Sequence, residues 1–167
     1  DKTIIGNPNP DCLLNFNTAV SYRGFTLSAF FQGSIGNDIY SLSMASAAYD
    51  YSSNANTLRE VLYNHWTPET PNAKYPNLRQ DIALKMSDRF VYDGSYMRLK
   101  NLEIGYSFKW MRVYLSGANL LTFSPFKHWD PELGGYDNKP ESSSANRGNG
   151  LRYPLQKIVN IGAQFNF

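Results

Sequence analysis

Long apolar runs are missing from this chain of 167 residues. No stretch of about 18 apolar residues occurs, and mean hydropathy is −0.45, which excludes a transmembrane helix. A transmembrane β-strand stays open, because such a strand needs only every second residue to be apolar. Cysteine is nearly absent. Cys12 stands alone, which excludes an intrachain disulfide framework and a cysteine-rich zinc site. Charge is scarce at 18% of residues, and 16 basic against 14 acidic side chains leave only +2, too little to argue for a nucleic-acid partner. The two histidines, His65 and His128, have no further ligand at metal-binding spacing, so no metal or other cofactor is expected. There is no internal repeat. No signal peptide opens the chain at Asp1, and a fragment or processed product is the expectation.

What is plentiful is aromatic: twelve Tyr, ten Phe and three Trp, in a background of Asn, Ser and Gly that favours β-structure. Five segments alternate with period 2. Residues 12–22 set Leu14, Phe16, Thr18, Val20 and Tyr22 against Asn15, Asn17, Ala19 and Ser21. Residues 24–35 set Phe25, Leu27, Ala29, Phe31 and Ile35 against Thr26, Ser28, Gln32 and Ser34, with Phe30 breaking the polar side. Residues 96–108 place Leu102, Ile104, Tyr106 and Phe108 on one face, and residues 111–121 do the same with Met111, Val113 and Leu115. Residues 157–167 alternate most regularly, with Val159, Ile161, Ala163, Phe165 and Phe167 against Asn160, Gly162, Gln164 and Asn166.

The polar faces hold amides, hydroxyls and glycine, with few lysines. Such a face suits a wet lumen better than the charged exterior of a soluble sandwich. The opposite faces match the lipid side of a transmembrane barrel, with Val159, Ile161, Phe165, Leu102 and Ile104 expected against acyl chains. Tyr22, Phe25, Tyr106, Phe108, Trp110 and Phe165 are expected in an aromatic girdle. Connection lengths run short, long, short, long: turns at 23–24 and 109–110, and loops at 36–95 and 122–156. Outer-membrane barrels have short periplasmic turns and long extracellular loops, so both long loops are expected outside. Within the first, helical spacing over 54–66 predicts a short amphipathic helix with Asn56 as N-cap.

These residues resemble the C-terminal end of SusC/RagA-type TonB-dependent transporters of the Bacteroidetes outer membrane. The resemblance runs in order along the chain. It is carried by IIGNPNPD (4–11), GFTLSAFFQGSIGNDIY (24–40), HWTPETP (65–71), YPNL (75–78), SDRFVYDGSYMRLKNLEIGYSF (87–108), RVYLSGANLLTFS (112–124), DPELGG (130–135) and YPLQKIVNIGAQFNF (153–167). The 109–110 turn is shorter than in the family, and Cys12 stands where an aromatic is common. The resemblance implies an all-β, antiparallel fold: the last part of a transmembrane β-barrel over residues 1–167, without a plug domain. It implies energised import of a glycan or peptide nutrient, with no enzymatic role and no catalytic residue. The implied partners are the rest of the barrel and its plug, a SusD-like surface lipoprotein, TonB acting through the plug, and outer-membrane lipid. Five strands cannot close a barrel, for which about eight is the useful minimum.

Individual residues carry further expectations. Phe167, a terminal aromatic on the apolar side of the last strand, resembles the outer-membrane assembly signal. Tyr63, Trp66, Trp129 and Tyr136 are candidates for contact with substrate or a lid-like partner, since rings offer large amphipathic surfaces. Arg98 and Lys100 are expected at the outer end of the third strand, either paired with lipopolysaccharide phosphates or simply solvated at the rim. Asp130 and Glu132 read as ordinary loop carboxylates, because nothing fixes them at the separation that glycoside hydrolysis requires. The competing reading is a soluble, secreted β-sandwich that binds carbohydrate, which would press the apolar faces of two sheets into one dry core.

Overall fold

A computed structural model describes residues 3–41, 44–45, 56–78, 87–133 and 153–166. Its main feature is one antiparallel sheet of five strands in the order β1-β2-β5-β6-β7. These are β1 (Cys12–Tyr22), β2 (Phe25–Ile35), β5 (Tyr96–Ser107), β6 (Met111–Phe123) and β7 (Ile158–Phe165). The sheet is an open meander with β1 and β7 as its edges. β3 (Asp38–Tyr40) and β4 (Val91–Asp93) form a separate two-stranded ribbon.

The register turns the alternation into two continuous faces. Phe16 lies opposite Phe31, and Phe31 opposite Leu99. Leu27 lies opposite Ile104, which faces Leu115, which faces Ile161. A single apolar surface therefore crosses all five strands. The other face pairs Ser28 with Glu103, Glu103 with Ser116, and Ser116 with Asn160. Most of the apolar side lies open, with Ile161 87% and Val159 64% exposed, while Ala29 and, toward the long-loop end, Leu99 are buried.

The tight turns follow from local chemistry. Arg23 (φ 47°) and Gly24 (φ 89°) both take positive φ, the requirement of a type I′ hairpin, whose twist suits the flanking strands. This sets the start of β2 at Phe25, one residue later than its alternation suggests. At the other tight turn, the Phe108 N–H donates to Met111 O at 2.7 Å across Lys109 and Trp110. Both turns lie at one end of the sheet, where rings gather. Phe25 meets Tyr106 at 4.5 Å, Tyr106 meets Phe108 at 4.7 Å, and Trp110 stacks on Phe165 at 6.1 Å. Asn166 N–H donates to Trp110 O at 2.9 Å, so pairing continues past β7.

The pattern is interrupted once. The register slips at Lys100 against β2, and between Leu99 and Asn101 against β6. The extra β6 residue falls at Asn119–Leu120, and Asn119 takes φ 55°, a left-handed conformation that Asn tolerates. A bulge of this kind adds local twist and re-aims side chains.

The loop between β2 and β5 has its own core: Met44, Ala45, Val61, Tyr75 and Phe90 are buried together, with Tyr40, Leu58, Leu78 and Tyr92 packed on them. Its helix, α1, spans only Arg59–Tyr63. The described part of the expected 54–66 helix is thus shorter, and its N-cap is Leu58 rather than Asn56, with no side-chain cap. The reason is visible at its far end, where the chain leaves helical geometry to pair with the stretch around Tyr75. Trp66 N–H donates to Tyr75 O at 2.8 Å, and Tyr75 N–H donates to Asn64 O at 3.1 Å.

Candidate functional site: the bulged rim and the loops above it

The bulge lies toward the long-loop end of the sheet, and the charged cluster there overturns one expectation. Arg98 and Lys100 are not free cations at a rim. The Arg98 side chain is 3% exposed. Its Nη2 donates to Asp130 Oδ1, and Lys100 Nζ donates to Glu132 Oε1. Arg98 Nη1 also meets Glu132 Oε2 at 2.8 Å, as an ion pair off the hydrogen-bond angle, and Nε has no partner. Two cations on β5 thus face two carboxylates from a short 3₁₀ turn at Pro131–Leu133. Phosphate recognition by this pair is excluded by burial and by charges already matched.

Asp130 organises the cluster. Its Oδ1 accepts the Glu132 N–H at 3.1 Å, and its Oδ2 accepts the Leu155 N–H at 3.0 Å. One carboxylate therefore ties β5, its own loop and the approach to β7. Burial works against the charged form, but the Arg98 guanidinium and the Leu155 and Glu132 backbone N–H groups outweigh it, holding the Asp130 pKa below its usual value.

The neighbouring loop segment docks through rings. Phe126 is buried, and Tyr92, Phe126 and His128 sit 4.9–5.6 Å apart. His128 is thus part of an aromatic cluster. His65 Nδ1 lies 2.8 Å from Leu62 O, back on α1.

The described residues line two clefts of note among the loops. One, of about 470 Å³, is lined by Trp66, Lys74, Tyr75, Asn77 and Arg89 among others. The other, of about 300 Å³, lies above the bulge and includes Arg98, Asn119, Lys127, Trp129, Asp130 and Lys157. Trp66 and Trp129 therefore stand in separate clefts, each partly exposed. Tyr63 is largely exposed on α1, with Arg59 over its ring at 5.8 Å, and lines neither cleft. Tyr136 and Phe167 lie outside the described residues. On the apolar face, Ile104, Val159, Ile161 and Phe165 are exposed and Leu102 is half-buried. On the polar face, Arg112 Nη2 donates to Glu103 Oε1 at 2.6 Å and to Thr26 Oγ1 at 3.1 Å. Sequence reasoning missed both the Asp130 clamp and the second cleft. The one available signal was that two basic and two acidic residues each recur with spacing two.

An open antiparallel sheet, apolar and largely exposed on one side and polar on the other, defines a piece of β-barrel wall. Comparison with known proteins gives the class: the chain is similar over its whole length to a segment of SusC/RagA-type TonB-dependent receptors, outer-membrane β-barrel proteins. It is 34% identical to TonB-dependent receptor P3 of Formosa agariphila across all of this chain and 17% of that protein. It is 29% identical to TonB-dependent receptor SusC of Bacteroides thetaiotaomicron, across 84% of this chain and 15% of SusC. Among solved structures, the RagAB peptide importer in its open-open state matches 98% of this chain and 18% of its own, with a TM-score of 0.71 at 27% identity. The chain therefore spans about a sixth of the relatives it matches. No family model matches it. These relatives are receptors and transporters, not enzymes.

Proposed function

We propose that this chain forms the C-terminal wall of a TonB-dependent transporter that imports a glycan or peptide nutrient across the outer membrane. The observation that carries this reading is the largely exposed apolar face running through all five strands, backed by a polar one. Strands of 11–13 residues rising about 3.3 Å per residue and tilted about 45° span roughly 25 Å of height, the apolar band of such barrels. On this reading the ring-rich turn end is the periplasmic girdle and the two long loops face outward. The polar face lines the lumen beside the plug. The loops meet a SusD-like lipoprotein. Phe167 serves as the assembly signal. The segment does no covalent chemistry. The sandwich alternative needs a second layer over Leu115 and Ile161, and among the described residues there is none.

The test uses the full receptor in outer-membrane vesicles, with Cys12 first replaced by Ser. Ile161→Cys should react with a lipid-soluble maleimide and resist a water-soluble one. Asn160→Cys should do the opposite. Equal reactivity of both toward the water-soluble reagent, or a monodisperse protein in plain buffer, would refute the reading.

A further inference from the structure

The cleft above the bulge has more positive charge than its own carboxylate can match. Asp130 is fully engaged: both its oxygens accept hydrogen bonds, and Arg98 balances its charge. The charge of Glu132 is matched by Lys100 and Arg98. That leaves Lys127 and Lys157 on the cleft wall, exposed and, among the described residues, without an acidic partner. Arg98, buried on the same wall, keeps its Nε unsatisfied. An unsatisfied buried donor is costly, but this one is closed off from the cleft by its burial, so the exposed lysines carry the cleft's free positive charge. Trp129 supplies a 44% exposed indole on the same wall. Asn119 is fixed nearby, its Nδ2 donating to Gln156 O at 3.2 Å. The volume, about 300 Å³, is at the small end of ligand pockets.

Two ammonium groups without an acidic partner among the described residues, beside an aromatic plate, fit a ring that carries a negative group. We infer that this cleft is a subsite for an acidic sugar unit, one bearing a carboxylate or sulfate. The sugar's C–H face lies on Trp129, and its anion meets Lys127 and Lys157. Arg98 and Thr122, both on this wall, are register partners on the polar face, so the subsite opens toward the lumen side. The inference deepens the transport reading and rests on it.

The experiment is calorimetric titration of the full receptor in detergent with three probes. They are a hexuronate oligosaccharide, the neutral hexose oligosaccharide of equal length and linkage, and a glutamate hexapeptide. The native receptor should prefer the hexuronate, with affinity falling as salt rises. The K127Q/K157Q double variant should bind it about tenfold or more weakly, the scale of losing charge-assisted contacts, and bind the neutral oligomer unchanged. W129L should weaken both sugars. Both lysines are exposed, so the double variant is expected to fold, and unchanged maleimide labelling at position 161 would check this. Unchanged hexuronate affinity in the double variant, or tighter binding of the peptide than of the hexuronate, would overturn the inference. Either result leaves the transport reading standing, because that reading is decided separately by the Ile161 and Asn160 labelling pattern and by the receptor's behaviour in plain buffer.

Discussion

The five-stranded sheet and the loop body between β2 and β5 treat the same residue types in opposite ways. In the sheet, Leu115 is 46% exposed and Ile161 nearly fully so, although both sit in long, regular strands. In the loop body, whose described elements are short, among them a five-residue helix and three-residue strands, Val61, Tyr75 and Phe90 are buried. A loop that must hold its shape in water needs a dry core, since ordered backbone costs about 1–2 kcal/mol per residue in entropy. A wall between lipid and lumen needs no such core, because its apolar side already has an apolar solvent. The contrast says that two solvents shaped one chain.

The largest expected effect cuts the loop body away from the wall. Phe90→Ala should cost about 3–5 kcal/mol, the usual loss for a buried ring, and the loss should stay local. Limited proteolysis of the full receptor should then cleave within 36–95 while the barrel keeps its heat-modifiable migration on a gel. Loss of the barrel together with the loop would show one cooperative unit and end the contrast. The next effect separates the two faces of the sheet. Leu115→Arg places a charge in the proposed lipid layer and should cost about 2–4 kcal/mol near the midplane. Ser116→Arg, one residue on and beside Glu103, should stay within about 0.5 kcal/mol, as ordinary surface changes do. Urea titration of the receptor in lipid vesicles measures both. Equal costs would remove the case for a membrane on one side only.

The sheet was readable in the sequence because its code is local. Alternation survives inspection one strand at a time, and Arg23-Gly24 marks its own turn. The bulge was not readable: Lys100 and Asn119 are ordinary residues for a strand, and only the register against neighbouring strands exposes the slip. The helix was overdrawn because Leu58, Val61, Leu62 and Trp66 keep helical spacing, while the pairing of Asn64 and Trp66 with Tyr75 that breaks it comes from about ten residues away. Arg98 shows the same limit more sharply. An arginine at a strand end reads as a solvated charge until Asp130, 32 positions later, folds over it. The wall is thus written in short-range pattern. The loops and their clefts depend on contacts that no window of sequence displays.

Acid should unfasten the loops before the wall. The native pKa of Asp130 lies below its unfolded value. Its contribution to stability is therefore fully present above the unfolded pKa, about 3.9, and is lost as pH falls through the native value. Hydrogen exchange should show the Leu155 and Glu132 amides protected at pH 6 and opening below about pH 4, with β5 and β6 amides in mid-strand unaffected. Simultaneous opening of loop and strand amides would mean that the clamp holds the sheet itself. No opening at all would mean that Asp130 is not what fastens the loop.

The smallest expected effect tests whether the loop body is held by its core or by its surface. Lys74 Nζ donates to Glu60 Oε1 at 2.8 Å. That hydrogen bond lowers the Glu60 pKa and raises the Lys74 pKa. Both side chains remain well exposed, and exposed pairs contribute only about 0–1 kcal/mol because water and salt screen them. Glu60→Gln keeps an acceptor at the same place and removes the charge. The protease-sensitive fraction of the 36–95 loop should then change by less than about fivefold, the equivalent of 1 kcal/mol, and the change should vanish in high salt. An effect as large as that of Phe90→Ala would mean that ion pairing across α1 and the Tyr75 stretch holds the loop together. The buried cluster would then be a consequence of that closure rather than its cause.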